Sequence, residues 1–128
     1  MQAFTLICRR SGERIASSLF VATNLFDRAV GLLKYRTLPD GEALFFPKCN
    51  SVHTVGMRFA IDLVFIDAAG LIVHLEPSVV PGRLIFPIAR AWGVIELASG
   101  AIKQSQLSVG DQLGLLSSNG LEPLDKPF

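Results

Sequence analysis

Cys49, His53 and Met57 recur at four-residue spacing and carry a thiol, an imidazole and a thioether. These are soft or borderline ligands, a set suited to Cu(I) and tolerable for Zn(II). In an extended strand the three would share a face but span about 13 Å, too far for one ion. On a helix neighbours would stand about 6 Å apart, and Val52, Thr54, Val55 and Gly56 disfavour that state. A copper site therefore requires the segment to fold back as a loop, which Gly56 permits. The competing reading is a packed cysteine, a hydrogen-bonded histidine and a core methionine. Cys49 and His53 also form a candidate nucleophile–base pair, without a third orienting residue or a nucleophile elbow in the sequence.

Asp62 lies inside the apolar run Ile61–Ile66, where an unpaired carboxylate is strongly unfavourable. It needs partners. Arg58 is four residues back on the same face of an extended chain, and His53 and Thr54 are close in sequence. One reading is a structural carboxylate that accepts hydrogen bonds from backbone or from an arginine. The other is a polar pocket of His53, Thr54, Arg58 and Asp62 for a small polar ligand, the place where a small enzyme would work. The position of His74 follows from hairpin arithmetic. If Asp67 pairs with Gly70, His74 falls opposite Leu63 and points away from Asp62, an orientation that a one-residue bulge would reverse. Glu96 is expected to point outward from its strand and to pair with Arg28 or Arg90.

The elements that must position these residues are short. Ala3–Cys8 and Ile15–Ala22 read as strands joined by a polar turn containing Gly12. Thr23 or Asn24 caps the start of an amphipathic helix whose apolar side is Leu25, Phe26, Ala29, Leu32 and Leu33. Ala43–Phe46 is a brief strand before Pro47. Ala60–Ile66, apolar on both faces, implies a central covered strand, returning after Asp67–Gly70 as Leu71–Leu75. Pro77–Pro87 holds three prolines and reads as a long apolar loop that covers the core or meets another chain. Trp92 follows as a core plug or pocket rim. Val94–Leu97 is a strand and Gly100–Gln106 a helical turn. Val109-Gly110-Asp111, with glycine at positive φ and aspartate capping, leads into the strand Gln112–Leu116. The tail over residues 117–128 is expected to be loosely held. The whole predicts a mainly β (α+β) fold: a small, barrel-like antiparallel or mixed sheet with one or two short helices.

The 128 residues are one domain's worth of chain, and 50% are hydrophobic against 18% charged, enough for a core. The formal net charge is +1 and the basic residues are scattered, which argues against nucleic acid as a partner. Two cysteines make no disulfide framework. No stretch approaches the length of a membrane span. Met1–Cys8 is apolar and Arg9-Arg10 follows, the reverse of a secretory signal, so the chain as given reads as cytoplasmic.

Several stretches fall in one order: Arg28-Ala-Val-Gly31-Leu32, Leu44–Pro47, His53-Thr54 through Met57 to Ile61–Asp67, Gly70, Val94–Gly100 and Val109-Gly110-Asp111. Together, from about Leu19 to Leu115, they resemble the bacterial and archaeal family called domain of unknown function 192. The resemblance implies a small, mostly β domain with minor helices and no established activity, substrate or catalytic residue. It also implies that export is open, because many relatives are exported. Two departures stand out. Many members have methionine in place of Leu33, and Trp-Met-Lys-Asn-Thr where this chain has its Cys49–Met57 segment.

These observations favour a non-catalytic module that binds a small polar ligand, or a protein partner or second copy through Pro77–Pro87. A copper-binding protein using Cys49, His53 and Met57 is the first alternative. A small enzyme with a pocket around Asp62 is the second.

Overall fold

The computed structural model of the protein describes residues 3–22 and 38–124. Among the described residues ten strands form in chain order: β1 (Ala3–Cys8), β2 (Arg14–Val21), β3 (Glu42–Pro47), β4 (Val52–His53), β5 (Ile61–Ile66), β6 (Ile72–Val79), β7 (Leu84–Ile85), β8 (Gly93–Ala98), β9 (Leu113–Ser117) and β10 (Gly120–Glu122). Among the described residues one helix forms, α1 (Ala101–Gln104). The helix expected after Thr23 or Asn24 lies outside the described residues.

Eight strands make one mixed sheet in the order β10-β9-β1-β2-β3-β8-β5-β6, while β4 and β7 pair as a separate ribbon. Only β2 and β3 run parallel, with Ser18 opposite Glu42. Just before β6 and β9 begin, the chain makes an isolated bridge between Leu71 and Gln112. The sheet is thus not closed into a barrel, which corrects the barrel-like expectation. It still curls, because Leu113 and Leu115 of β9 share one apolar cluster with Val64 and Ile66 of β5, several strands away. Alternation along β5 sends Ile61, Leu63 and Phe65 to the other face, into a second cluster with Phe46, Cys49, Val79 and Ile85. All six residues of β5 are buried, as a continuous apolar run at strand length requires.

Three local outcomes differ from the sequence expectations. Pro77 and Ser78 belong to β6 rather than to a loop, and the proline is tolerated because β6 is an edge strand. The β5–β6 turn is one residue longer than expected: Asp67 N–H donates to the Leu71 carbonyl at 2.9 Å, and the Asp67 side chain accepts from Ala69 and Leu71 N–H, each at 2.9 Å. Past Ser117, the segment expected to be loose forms β10 against β9, and Leu124 is fully buried.

Gly70 is where the hairpin turn meets β9. It has φ 85°, and a Cβ there would sit 3.1 Å from the carbonyl oxygen of Leu113 and 3.0 Å from the Gln112 amide. Its own carbonyl accepts from Leu113 N–H at 3.0 Å. Gly70→Ala is therefore expected to cost about 2–3 kcal/mol, from the left-handed backbone and the backbone clash combined. Chemical denaturation would show it as a lower midpoint at an unchanged slope.

Candidate functional site

β4 and β7 pair with Val52 opposite Ile85 and His53 opposite Leu84. Paired residues share a face, and the alternation is clear. Val52 and Ile85 turn into the second apolar cluster, whereas His53 and Leu84 turn out. Phe86, one residue beyond Ile85, is 76% exposed, and Leu84 is 59% exposed. Val55, next to Thr54 at the end of β4, and Val80, hydrogen-bonded to Thr54, are also more than half exposed. The result is an apolar ledge on a ribbon of two short strands.

Thr54 holds that ledge in place. Its side chain is fully buried, and its hydroxyl donates to the Val80 carbonyl at 2.8 Å and accepts from Arg83 N–H at 2.8 Å. Its backbone N–H donates to the Arg83 carbonyl at 2.8 Å, and its own carbonyl accepts from Gly82 N–H at 3.0 Å. One threonine thus clamps the 80–83 turn to the end of β4, so the exposed side chains are presented by fixed backbone.

Asp62 has the structural role. It is fully buried, with one carboxylate oxygen accepting from Ser78 N–H and the other from Ile102 N–H, both at 2.8 Å. β6 has one extra residue opposite Asp62, a bulge made by Pro77 and Ser78, with Ser78 at φ 50°. The bulge removes Ser78 N–H from the ladder, and the first turn of α1 leaves Ile102 N–H without an intrahelical acceptor. Asp62 supplies both.

The expected pocket of His53, Thr54, Arg58 and Asp62 is not assembled. Thr54 is committed to the 80–83 turn, Asp62 to Ser78 and Ile102, and Arg58 and His53 are exposed. Asp62 accordingly offers no open carboxylate for enzyme chemistry. The copper set is also separated. Cys49 and Met57 pack against the second cluster and the Cys49 thiol donates to the Ser51 carbonyl, while His53 faces the opposite way from Val52, which packs into that cluster. Among the described residues no group of three or more His, Cys, Asp or Glu is placed to hold a metal ion.

His74 lies opposite Phe65 rather than Leu63, a shift of two residues that keeps the expected face. Its ring stands 5.5 Å from the Phe65 ring and its Nε2 lies 2.7 Å from Glu76. Glu96 does not point outward as expected. It is 4% exposed, on β8 between Leu44 and Leu63. Arg28, one of the partners expected for it, lies outside the described residues.

Asp111 caps its turn as expected, accepting from Ser108 N–H at 2.9 Å while Gly110 takes φ 97°. Arg10 of the β1–β2 turn grips the same carboxylate at 2.7 and 3.1 Å. The Arg10 hydrogen bond holds the Asp111 carboxyl below its ordinary value, and the Ser108 N–H adds to this against the opposing effect of burial. A carboxyl depressed in the folded state binds fewer protons there than in the unfolded chain. Its stabilisation is present above the unfolded value, near pH 4, and is lost as pH falls through the folded one. Asp111→Asn is thus expected to lower Tm at pH 7 and to converge on the parent protein towards pH 3, as thermal melts across that range would record.

A groove of about 190 Å³ opens elsewhere, where β2 and β3 begin, β8 ends and α1 starts. Glu13, Arg14, Asp40, Glu42 and Ser105 are among its lining residues, and none of them stands out in the sequence as a site residue. Their only sequence signal is a pair of charged turns, Glu13-Arg14 and Asp40-Gly41-Glu42. The parallel β2–β3 pairing brings those turns together.

The family model DUF192, described as "Uncharacterized ACR", matches residues 7–115. The fold is similar to that of a "putative transcription regulator" from Sinorhizobium meliloti 1021, with a TM-score of 0.72 at 23% identity over 88% of this chain and 91% of that one. It is also similar to a protein of unknown function from Novosphingobium aromaticivorans DSM 12444, with a TM-score of 0.71 at 19% identity over 87% of this chain and 82% of that one. No curated protein gives a significant sequence match. At these identities the two structures establish the fold and nothing about activity. No helix among the described residues is long and apolar enough to cross a membrane.

Proposed function

The chain belongs to the DUF192 family, and from that footing we propose that it is a non-catalytic binding module that takes a protein partner on the β4–β7 ledge. The observation that carries the reading is the pair Leu84 and Phe86, 59% and 76% exposed on the outer face of a clamped ribbon. Water-exposed aromatic and aliphatic surface of this kind is unfavourable in isolation and marks interaction faces when it is contiguous. Rigid presentation also lowers the entropy lost on binding. Buried aromatic anchors dominate the energetics of protein interfaces. A partner with an apolar or aromatic segment and few charges fits the ledge best. A nucleic acid partner is disfavoured, because twelve Lys and Arg are balanced by eleven Asp and Glu.

Selection of a phage-displayed random peptide library on the immobilised protein tests this proposal. Enrichment of aromatic or aliphatic sequences that no longer bind Leu84→Ser/Phe86→Ser supports it. Enriched peptides that bind that double variant as well as the parent contradict it.

A further inference from the structure

We infer that the partner enters the ledge as an extended polypeptide strand along the open edge of β7, apolar at alternate positions and acidic on both flanks. This rests on the ledge reading and adds to it the partner's conformation and charge. One edge of β7 is taken by β4. Thr54 N–H donates to the Arg83 carbonyl at 2.8 Å, which makes Thr54 and Arg83 a bonded position of the ribbon. Antiparallel pairs alternate between bonded and unbonded. His53 and Leu84, the next pair, are therefore unbonded, and the Leu84 N–H and carbonyl turn away from β4. Among the described residues neither Leu84 nor Phe86 has a backbone hydrogen-bond partner. An edge with free N–H and C=O groups is a template for an added strand.

Charge is the second, independent observation. Residues 43–61 and 77–95, which hold the ribbon and its flanks, contain Lys48, Arg58, Arg83 and Arg90 but no Asp or Glu. The chain as a whole is only +1, so the remainder of the molecule is net acidic. All four basic residues are exposed. None is in an ion pair: among the described residues the ion pairs join Arg10 to Asp111 and His74 to Glu76. Backbone hydrogen bonds set the four at the two ends of the ribbon. At one end Arg83 adjoins the Thr54 clamp, and Arg58 follows the turn in which Met57 N–H donates to the Thr54 carbonyl at 3.2 Å. At the other, Ile88 N–H donates to the Asn50 carbonyl at 3.0 Å, with Lys48 just before Asn50 and Arg90 just after Ile88.

Leu84 and Phe86 lie between these basic ends. A strand added beside them sets alternate side chains on their face. From Arg83 to Ile88 an extended chain covers about 17 Å, so an apolar stretch of about five residues carries its flanks to both ends. The stretch seated on the ledge has few charges, and the acid lies to either side of it. An anionic membrane surface matches the charge and the apolar side chains, but it has no row of N–H groups for the open edge. A nucleic acid has no apolar side chains to set against Leu84 and Phe86. Attraction between acidic flanks and the basic ends steers encounter and is screened by salt.

The test is fluorescence anisotropy of labelled synthetic peptides titrated with the full chain. Their shared core alternates phenylalanine with serine over about five residues, and their flanks are pairs of glutamate, glutamine or lysine. Glutamate flanks are expected to bind about tenfold or more tighter than glutamine flanks at low salt, an advantage largely lost at about 0.5 M sodium chloride. Lysine flanks should bind weakest. Arg83→Gln/Arg90→Gln should remove the glutamate advantage and leave the glutamine-flanked affinity unchanged, while Arg9→Gln, a remote basic change, should alter neither. N-methylation of the core at one set of alternate positions should abolish binding, and at the other set preserve it. Melting temperatures show that each variant is folded, and Lys48→Gln/Arg58→Gln serves where the first pair is not. Equal affinity for all three flanks, or indifference to both N-methylated sets, would overturn the inference; if Leu84→Ser/Phe86→Ser still abolished that binding, the ledge itself would stand. No saturable binding of any peptide would overturn the inference, with the library selection left to judge the ledge. Tighter Leu84- and Phe86-dependent binding of phosphatidylglycerol vesicles or of oligothymidylate than of the glutamate-flanked peptide would overturn both.

Discussion

Asp62→Leu is expected to destabilise the protein by about 2–5 kcal/mol, the largest loss from any single polar substitution proposed for this chain. The side chain is fully buried and both its oxygens accept backbone hydrogen bonds, from Ser78 and Ile102. Leucine matches it roughly in size but leaves two backbone N–H groups without acceptors, each costing about 1–3 kcal/mol. The Ser78 bulge and the first turn of α1 lose their shared anchor together. For a domain of this size each kcal/mol is worth roughly 3–6 °C in Tm. Asp62→Asn is milder, since one oxygen survives, but its amide nitrogen then faces an N–H donor. A melting temperature within 2 °C of the parent for Asp62→Leu would show that the carboxylate does not anchor these elements.

The second large effect concerns binding. Leu84→Ser/Phe86→Ser should reduce partner affinity by about thirtyfold or more, the scale of losing an aromatic anchor worth about 2 kcal/mol. Its stability should stay within about 1 kcal/mol of the parent, because both side chains are well over half exposed. Ile85→Ser provides the contrast. Ile85 lies between them in sequence but is only 7% exposed and packs in the second apolar cluster. Its replacement should cost about 2–4 kcal/mol through lost apolar burial and an introduced hydroxyl. Surface plasmon resonance with library-selected peptides, beside denaturant melts, separates the two outcomes. Equal affinity losses with equal destabilisation in both variants would mean that the ledge acts only through the fold.

Much of the local structure was legible because it depends on neighbours in sequence. The run Ile61–Ile66 had to be a covered strand, and Asp62 within it had to find acceptor work, which the backbone of Ser78 and Ile102 provides. Asp111 capping the turn at Gly110 followed from turn chemistry in the same way. What was not legible depends on distant pairing. The parallel register of β2 with β3 sets Glu13 and Arg14 near Asp40 and Glu42, and no short-range pattern reports a parallel pairing across an intervening segment.

Proline misled for a physical reason. Pro77 signals a break wherever a strand needs its N–H, but it stands on the edge strand at a bulge, where none is required. The apolar Pro77–Pro87 segment does stand out in the sequence as unusual. Which of its side chains face water depended on the two-residue pairing of β4 with β7, and that placed Leu84 outside and Ile85 inside. The Cys49, His53 and Met57 spacing failed as a ligand set for the same reason: alternation at Val52 and His53 sends the imidazole away from the core.

The most direct test of the ledge is site-specific photo-crosslinking in cells producing the full chain. A benzophenone-bearing phenylalanine analogue replaces Phe86 in one strain and Val109, another exposed apolar residue on a distant turn, in a second. A discrete ultraviolet-dependent protein adduct is expected from position 86 and none from position 109. No adduct at 86, or the same adducts from both positions, would contradict the assignment of this face as a partner-binding surface.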